Sequence, residues 1–412
     1  MRGARRIGAA VAAAVALSVP TACGGSDERQ SGGTLTIAVD APFSRSPYIG
    51  RTIANGAELA VAELNAQGGI VLGRKAYRLK VKRYDNELSP RRGLANVRRA
   101  IDDGAVAILD DGTGVDASWE DAERAGLPIC ITYGGGMGLV DEEERPSVFR
   151  IAPTDRGIAY RLAEYLVPKG LKLALLHDDT TYGEQGADAL DKAFALNPEA
   201  VALRVAVSSG ATDLSPEILR ARRAGATGLL VWGDGATIAA AVTAARSAGW
   251  NVPIYAPPAA EDPIVRQQLA DRPEWLDALT VATGRMTAER GPTFFNVFQA
   301  KYRAAYGVPR IGVFTRAGRE VISLPDYAMY SYDCVNVLAA ALRSAGPGKK
   351  LVDALEQVSV GGANGDERGF NEHNHEGVID DDVFFAKFLD MRLLPVRDDP
   401  LSRSLPVLPQ TA

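Results

Sequence analysis

The chain has 412 residues, 46% hydrophobic and 24% charged, which at about 100 to 200 residues per domain makes two or three domains with substantial cores and excludes disorder as the main state. Forty-six Lys plus Arg against 51 Asp plus Glu leave a net charge of −5 with no long basic run, which argues against nucleic acid as a partner. Three cysteines, with no Cys-x-x-Cys and no close Cys/His set, supply neither a disulfide framework nor a structural zinc.

Arg2, Arg5 and Arg6 form a positive start, and Ile7 to Val19 is an apolar stretch followed by the small residues Thr21 and Ala22. As a helix that stretch covers only about 20 Å, short of the roughly 30 Å hydrocarbon core, so it reads as an export signal over residues 1–22. Cys23 opens a polar, glycine-rich tether over 23–33. The arrangement resembles a bacterial lipoprotein signal, with Pro20 where an aliphatic residue is usual, and implies a lipid on Cys23; ordinary secretion is the alternative. The Arg5-Arg6 pair alone is weak evidence of a twin-arginine signal.

Downstream, short β-rich runs alternate with helical patterns. Leu35 to Val39 reads as a strand, and Ile49 to Asn65 as a helix with Ile53, Ala57, Ala60, Val61 and Leu64 on one face, stopped by Gly68-Gly69. Arg78 to Tyr84 (strand), Pro90 to Asp102 (helix), Val106 to Leu109 (strand), Ala117 to Ala125 (helix) and Pro128 to Thr132 (strand) complete a first βα series. A second follows: helix Gly157 to Leu166, capped by Thr154 or Asp155, strand Leu173 to His177, helix Glu184 to Leu196, strand Val201 to Val207, helix Pro216 to Ala224, strand Gly228 to Trp232 and helix Thr237 to Ala248. Strand Leu279 to Thr283, helices Pro292 to Tyr306 and Tyr327 to Ser344, and an alternating stretch Val383 to Val396 that turns at Asp390-Met391-Arg392 come next, before a Pro-rich end over 396–412 expected to be mostly unstructured. The rhythm predicts an α/β protein with two doubly wound, mainly parallel sheets.

Thr36-Ile37-Ala38-Val39, Tyr48-Ile49-Gly50, the run Asn55-Gly56-Ala57 through Gly68-Gly69-Ile70, and Arg83-Tyr84-Asp85-Asn86 resemble the opening of the leucine/isoleucine/valine-binding type of periplasmic binding protein. Ala125-Gly126-Leu127-Pro128-Ile129, Phe149-Arg150-Ile151, Leu176-His177-Asp178 with Tyr182-Gly183-Glu184, Ala245-Arg246-Ser247-Ala248-Gly249 and Tyr332-Asp333 match in register. The resemblance implies a type I periplasmic binding protein: two doubly wound parallel-sheet lobes joined by three crossovers, clamping a small ligand between them. The crossovers are expected near Ile151, Thr283 to Arg285, and Gly377, giving one lobe from 34–151 plus 285–376 and the other from 152–284 plus 377–395.

By the same resemblance, Tyr48, Tyr182 and Tyr327 fall where the family places aromatic walls, with Tyr48 and Tyr182 expected to face each other across the ligand. The loops Gly112-Thr113 and Tyr133-Gly134-Gly135 match segments that hold a ligand carboxylate, a role suited to backbone N–H groups near helix starts. Here the usual serine pair is Gly112-Thr113-Gly114, and a Ser/Thr segment is replaced by Tyr133 and glycines. Asp234 lies where an aromatic closes the cleft, and the usual acid position is Pro258, with Glu261 three residues on; Asp234 or Glu261 is the expected partner of a ligand ammonium. Cys130 and Cys334 read as small buried residues whose common lobe leaves pairing open.

The implied function is an extracytoplasmic solute-binding protein, monomeric, lipid-anchored to the membrane, that delivers an amino acid or related amide or carboxylate to the permease subunits of an ABC importer. No cofactor or metal is implied. A ligand-sensing ectodomain serving a separate signalling protein is the alternative. An exported enzyme is disfavoured: Gly112-Thr113-Gly114 lacks the ribose-holding acid of a dinucleotide site, no P-loop or Gly-x-Ser-x-Gly elbow exists, and Glu372 to Glu376 with Asp380 to Asp382 reads as a solvated crossover rather than a metal centre.

Overall fold

The computed structural model describes residues 30–277, 279–284, 292–323, 326–378, 383–405 and 411. The expected export signal, Cys23 and Asp380 to Asp382 lie outside the described residues.

The first series forms β1 (Gln30–Ala41), α1 (Pro47–Ala66), β2 (Ile70–Leu72), β3 (Lys75–Asp85), α2 (Pro90–Asp102), β4 (Ala105–Asp110), α3 (Val115–Ala125), β5 (Ile129–Ile131) and β6 (Val148–Arg150). β1 starts ahead of Leu35 because Gln30 to Gly33, the end of the expected tether, pair beside Lys75 to Tyr77. The sheet order is β2-β3-β1-β4-β5-β6, parallel except for β2. Gly68 and Gly69 both have positive φ, which stops α1.

The second series is α4 (Asp155–Leu166), β7 (Leu173–Asp178), α5 (Thr181–Ala193), β8 (Val201–Val207), α6 (Ser215–Arg223), β9 (Gly228–Trp232), α7 (Gly235–Ser247), β10 (Ile254–Ala256), α8 (Pro263–Gln268), α9 (Pro273–Leu276) and β11 (Leu279–Thr283). The chain continues through α10 (Pro292–Tyr306), β12 (Arg310–Phe314), β13 (Glu320–Ile322), α11 (Asp326–Ala345), α12 (Lys350–Leu355), β14 (Ser359–Gly361) and β15 (Glu367–Gly369), then β16 (Phe384–Leu389) and β17 (Arg392–Pro395). Strands β16 and β17 add antiparallel to the second sheet, whose order is β17-β16-β11-β10-β9-β7-β8.

Helices α1, α10, α11 and α12 cover one face of the first sheet and α2 and α3 the other; α4 and α5 cover one face of the second, α6 to α9 the other. The approach of α1 to α11 depends on Gly56, where a Cβ would run into Ala328 O and Ser331 Oγ. A disulfide between Cys130 of β5 and Cys334 of α11, 204 residues apart, closes the pairing that the sequence leaves open.

Two segments differ from expectation. The β12–β13 hairpin, inside the stretch assigned to the first lobe, puts Ile311, Val313 and Val321 into the core of the second. The end expected to be unstructured is docked as far as Leu405: Asp399 accepts from Arg161 Nη2 at 2.9 Å, Ser402 Oγ accepts from Phe385 N at 2.7 Å, and Leu405 is buried. Asp399 shares the buried Arg161 cation with Glu164, a long-range contact that proline content does not reveal.

The chain passes between the sheets after Arg150, after Thr283 and before Phe384. The first and third passages lie side by side: Arg150 N donates to His375 O at 2.9 Å and Gly377 N to Arg150 O at 2.7 Å. Arg150 Nε donates to Glu376 Oε2 at 2.7 Å, a second contact joins Nη2 to Glu376 Oε1, and Nη1 donates to the Gly134 and Gly136 carbonyls at 3.0 Å each. His375, in the loop expected to be solvated, is instead buried on Phe149, with Val148 O and Glu356 Oε1 at its ring nitrogens.

Candidate functional site

In each sheet the winding reverses once, between β1 and β4 and between β7 and β9. Loops at the carboxyl ends of those strands frame the crevice where such sheets gather ligands. Tyr48 follows β1, Gly112-Thr113 follow β4, Tyr182 follows β7 and Asp234 follows β9. Tyr133 to Gly136 extend from β5 and meet α4 and α5 of the other lobe.

Tyr133 and Tyr327 form a tilted pair with ring centroids 4.7 Å apart, and Tyr330 stands 6.1 Å from Tyr327. Tyr48 lies in the first turn of α1, its hydroxyl 3.3 Å from Ser323 Oγ. In the second lobe the Tyr182 ring lies 6.0 Å from the fully buried Trp232, and its phenol is pushed above its usual range by burial and by Asp155 and Tyr133. Tyr133 is thus the first-lobe ring within electrostatic reach of Tyr182.

The two expected acids have partners within the chain. Asp234 caps α7, its Oδ1 accepting from Thr237 N at 2.7 Å while its own N–H donates to Asp178 Oδ2 at 2.7 Å. Glu261 is fully buried, bonded to Thr283 Oγ1 and neighbour to Arg266. The donors of Gly112 and Thr113 turn inward: Gly112 N donates to Asp110 Oδ1 at 2.6 Å and Thr113 N to Asp111 Oδ1 at 3.2 Å. Gly134 N donates to Asp111 O at 2.8 Å and Gly135 O accepts from Asp155 N at 2.7 Å. Beneath these loops Asp40 and Asp110 are buried together. Burial first, then the Asp110 charge, pushes Asp40 up to about 10, and burial with the Asp111 charge raises Asp110.

Asp155 is the acid that sequence reading passed over. It looked like an alternative helix cap, but Thr154 takes that role, accepting from Gly157 N at 2.9 Å. The Asp155 carboxyl is 1% exposed, its Oδ2 has no hydrogen-bond partner, and burial raises its pKa to about 7 against the opposing Arg150 charge. It is packed against Gly135 and acts electrostatically on Tyr182. The one available signal was two capping residues side by side directly after a crossover.

A buried carboxyl with an unpaired oxygen, beside Tyr182 and packed on the loop that carries Tyr133, suits a small cation that also hydrogen-bonds. Gly135 sets how closely the lobes approach. A Cβ there would lie 2.5 Å from Asp155 Oδ1, 2.6 Å from Asp155 N and 2.8 Å from Pro153 O, and backbone atoms cannot turn aside as a side chain can. Gly135→Ala is therefore expected to hold the lobes apart and weaken ligand binding by about 1 to 3 kcal/mol, read by calorimetric titration, with a melting temperature near wild type.

The chain is 26% identical to the "Amino acid binding protein" of Pseudomonas aeruginosa over 71% of its own length and 73% of that protein's. It is 27% identical to the "Leu/Ile/Val-binding protein homolog 2" of Brucella abortus over 48% of its own length, spanning 53%, about half, of that relative. Its fold is that of the type I periplasmic binding proteins: it superposes on the crystal structure of such a protein from Bordetella pertussis Tohama I with a TM-score of 0.77, covering 88% of this chain and 100% of that one at 23% identity. With the model of the periplasmic binding protein family matching residues 34–388, the chain belongs to that family.

Proposed function

We propose that this protein is an exported, monomeric solute receptor, held at the outer face of the cytoplasmic membrane by a lipid on Cys23, that captures a small polar amino compound between its lobes and delivers it to the permease subunits of an ABC importer. The observation that carries the ligand class is Asp155, a buried carboxyl with an open acceptor, packed on Gly135 of one lobe and beside Tyr182 of the other. Tyr48, Tyr133, Tyr182 and Tyr327 supply the walls, the loops Gly112-Thr113 and Gly134-Gly135 the rim, and Asp234 a charge at the mouth. The relatives' printed names, an amino acid binding protein and a Leu/Ile/Val-binding protein homolog, support an amino ligand. Binding here needs no chemical step, and the reading is of a receptor rather than an enzyme.

A thermal-shift screen of amino acids, amides, ureas and small carboxylates tests the ligand class: stabilisation by amino compounds supports it, and stabilisation by simple carboxylates alone contradicts it. The anchor is tested separately. Cys23→Ser is expected to move the protein from the membrane to the soluble fraction with ligand binding intact; unchanged membrane association contradicts the lipid.

A further inference from the structure

We infer that the cleft selects small amines and amino amides over free amino acids, because Asp110 and Asp111 already occupy the Gly112-Thr113 donors that would hold a ligand carboxylate. The inference rests on the cleft reading above and narrows it.

Asp111 is 5% exposed and directly follows β4, before the Gly112-Thr113 loop that should receive an anion. Its Oδ1 accepts from Thr113 N at 3.2 Å and from Asn86 Nδ2 at 2.7 Å, and its Oδ2 accepts from Thr113 Oγ1 at 2.8 Å. Amide and hydroxyl of one residue thus grip a carboxylate, and that carboxylate belongs to the chain. The neighbouring donors are engaged too, Gly112 N on Asp110 Oδ1 and Gly134 N on Asp111 O.

A ligand carboxylate would have to displace Asp111 from both Thr113 donors, leaving a buried acid held by Asn86 Nδ2 beside Asp110 and Asp40, an arrangement disfavoured by both desolvation and like charge. Arg150 reaches these loops, but its charge is matched by Glu376 and its Nη1 is bound to the Gly134 and Gly136 carbonyls, so it offers a second anion no free counter-charge. At the other end Asp155 Oδ2 has an acceptor to offer. The complementary ligand carries one positive charge, hydrogen-bonding capacity and no negative charge.

The experiment compares, on the mature wild-type chain, each standard amino acid with its own α-amide by thermal shift, followed by calorimetric titration of every pair that registers. The amide should bind at least tenfold more tightly than its acid. An acid that binds as tightly as its amide, or more tightly, overturns the inference while leaving the cleft reading standing. Binding of neither class overturns the amino-ligand reading, and the inference with it. In Asp111→Ser, which frees Thr113, the preference for amide over acid should shrink at least threefold. An unchanged preference in a folded variant overturns the role of Asp111, and should the variant fail to fold, the wild-type pairs still decide.

Discussion

Asp155→Asn is expected to weaken binding of a cationic amino ligand by about 2 to 5 kcal/mol, roughly thirtyfold to several-thousandfold, the range for removing one partner of a buried, hydrogen-bonded charge pair. The fold should survive, because Thr154 and not Asp155 caps α4 and the amide has the carboxyl's shape. The pH dependence has a defined sign. Burial raises Asp155 from 3.8 to about 7, with Arg150 opposing. Between about pH 4 and 7 the folded chain therefore holds a proton that the unfolded chain has lost, and the Asp155 contribution to stability falls as pH rises through that window and levels off above it. Binding runs the other way: an ammonium ligand needs the carboxylate, so affinity should rise about tenfold per pH unit up to about pH 7 and flatten beyond. Tyr182, the phenol that senses Asp155, is itself raised, so it stays protonated through this range. Titration calorimetry from pH 5 to 8 on wild type and Asp155→Asn checks both claims; a wild-type-like slope in the variant would assign the dependence to another group.

Loss of the Cys130–Cys334 bridge should cost about 2 to 5 kcal/mol of stability, since it closes a very long loop in the unfolded chain. It should also loosen the cleft. Cys130 lies three residues before Tyr133, and Cys334 lies on the helix that carries Tyr327, so the bridge holds the two supports of the paired tyrosines together. Cys130→Ala/Cys334→Ala is expected to lower the melting temperature and weaken the ligand severalfold. Chemical denaturation with calorimetry measures both, and an unshifted transition would mean that packing of β5 on α11 suffices alone.

Pattern in the chain was enough to find the wound elements, since strand runs such as Gly228 to Trp232 and helices such as Pro90 to Asp102 carry their period in their own residues. What it could not find depends on partners far along the chain. Asp155 resembles a cap until Thr154 is seen to take the cap, and Asp111 is one more loop acid until the Thr113 amide and hydroxyl are seen on it. The Pro-rich end looks unstructured until Asp399 meets Arg161, and the cysteines looked like core fillers because nothing local brings residues so distant together. Asp234, carried over from a family position, is where the loop was expected, yet its carboxylate serves the start of α7.

Small-angle scattering tests ligand capture between the two lobes most directly. With a saturating amino compound chosen by thermal shift, the radius of gyration should be smaller than in the free protein, because only a ligand touching both lobes stabilises the closed form. An identical scattering profile with and without bound ligand, at a concentration where calorimetry shows the site filled, would contradict it.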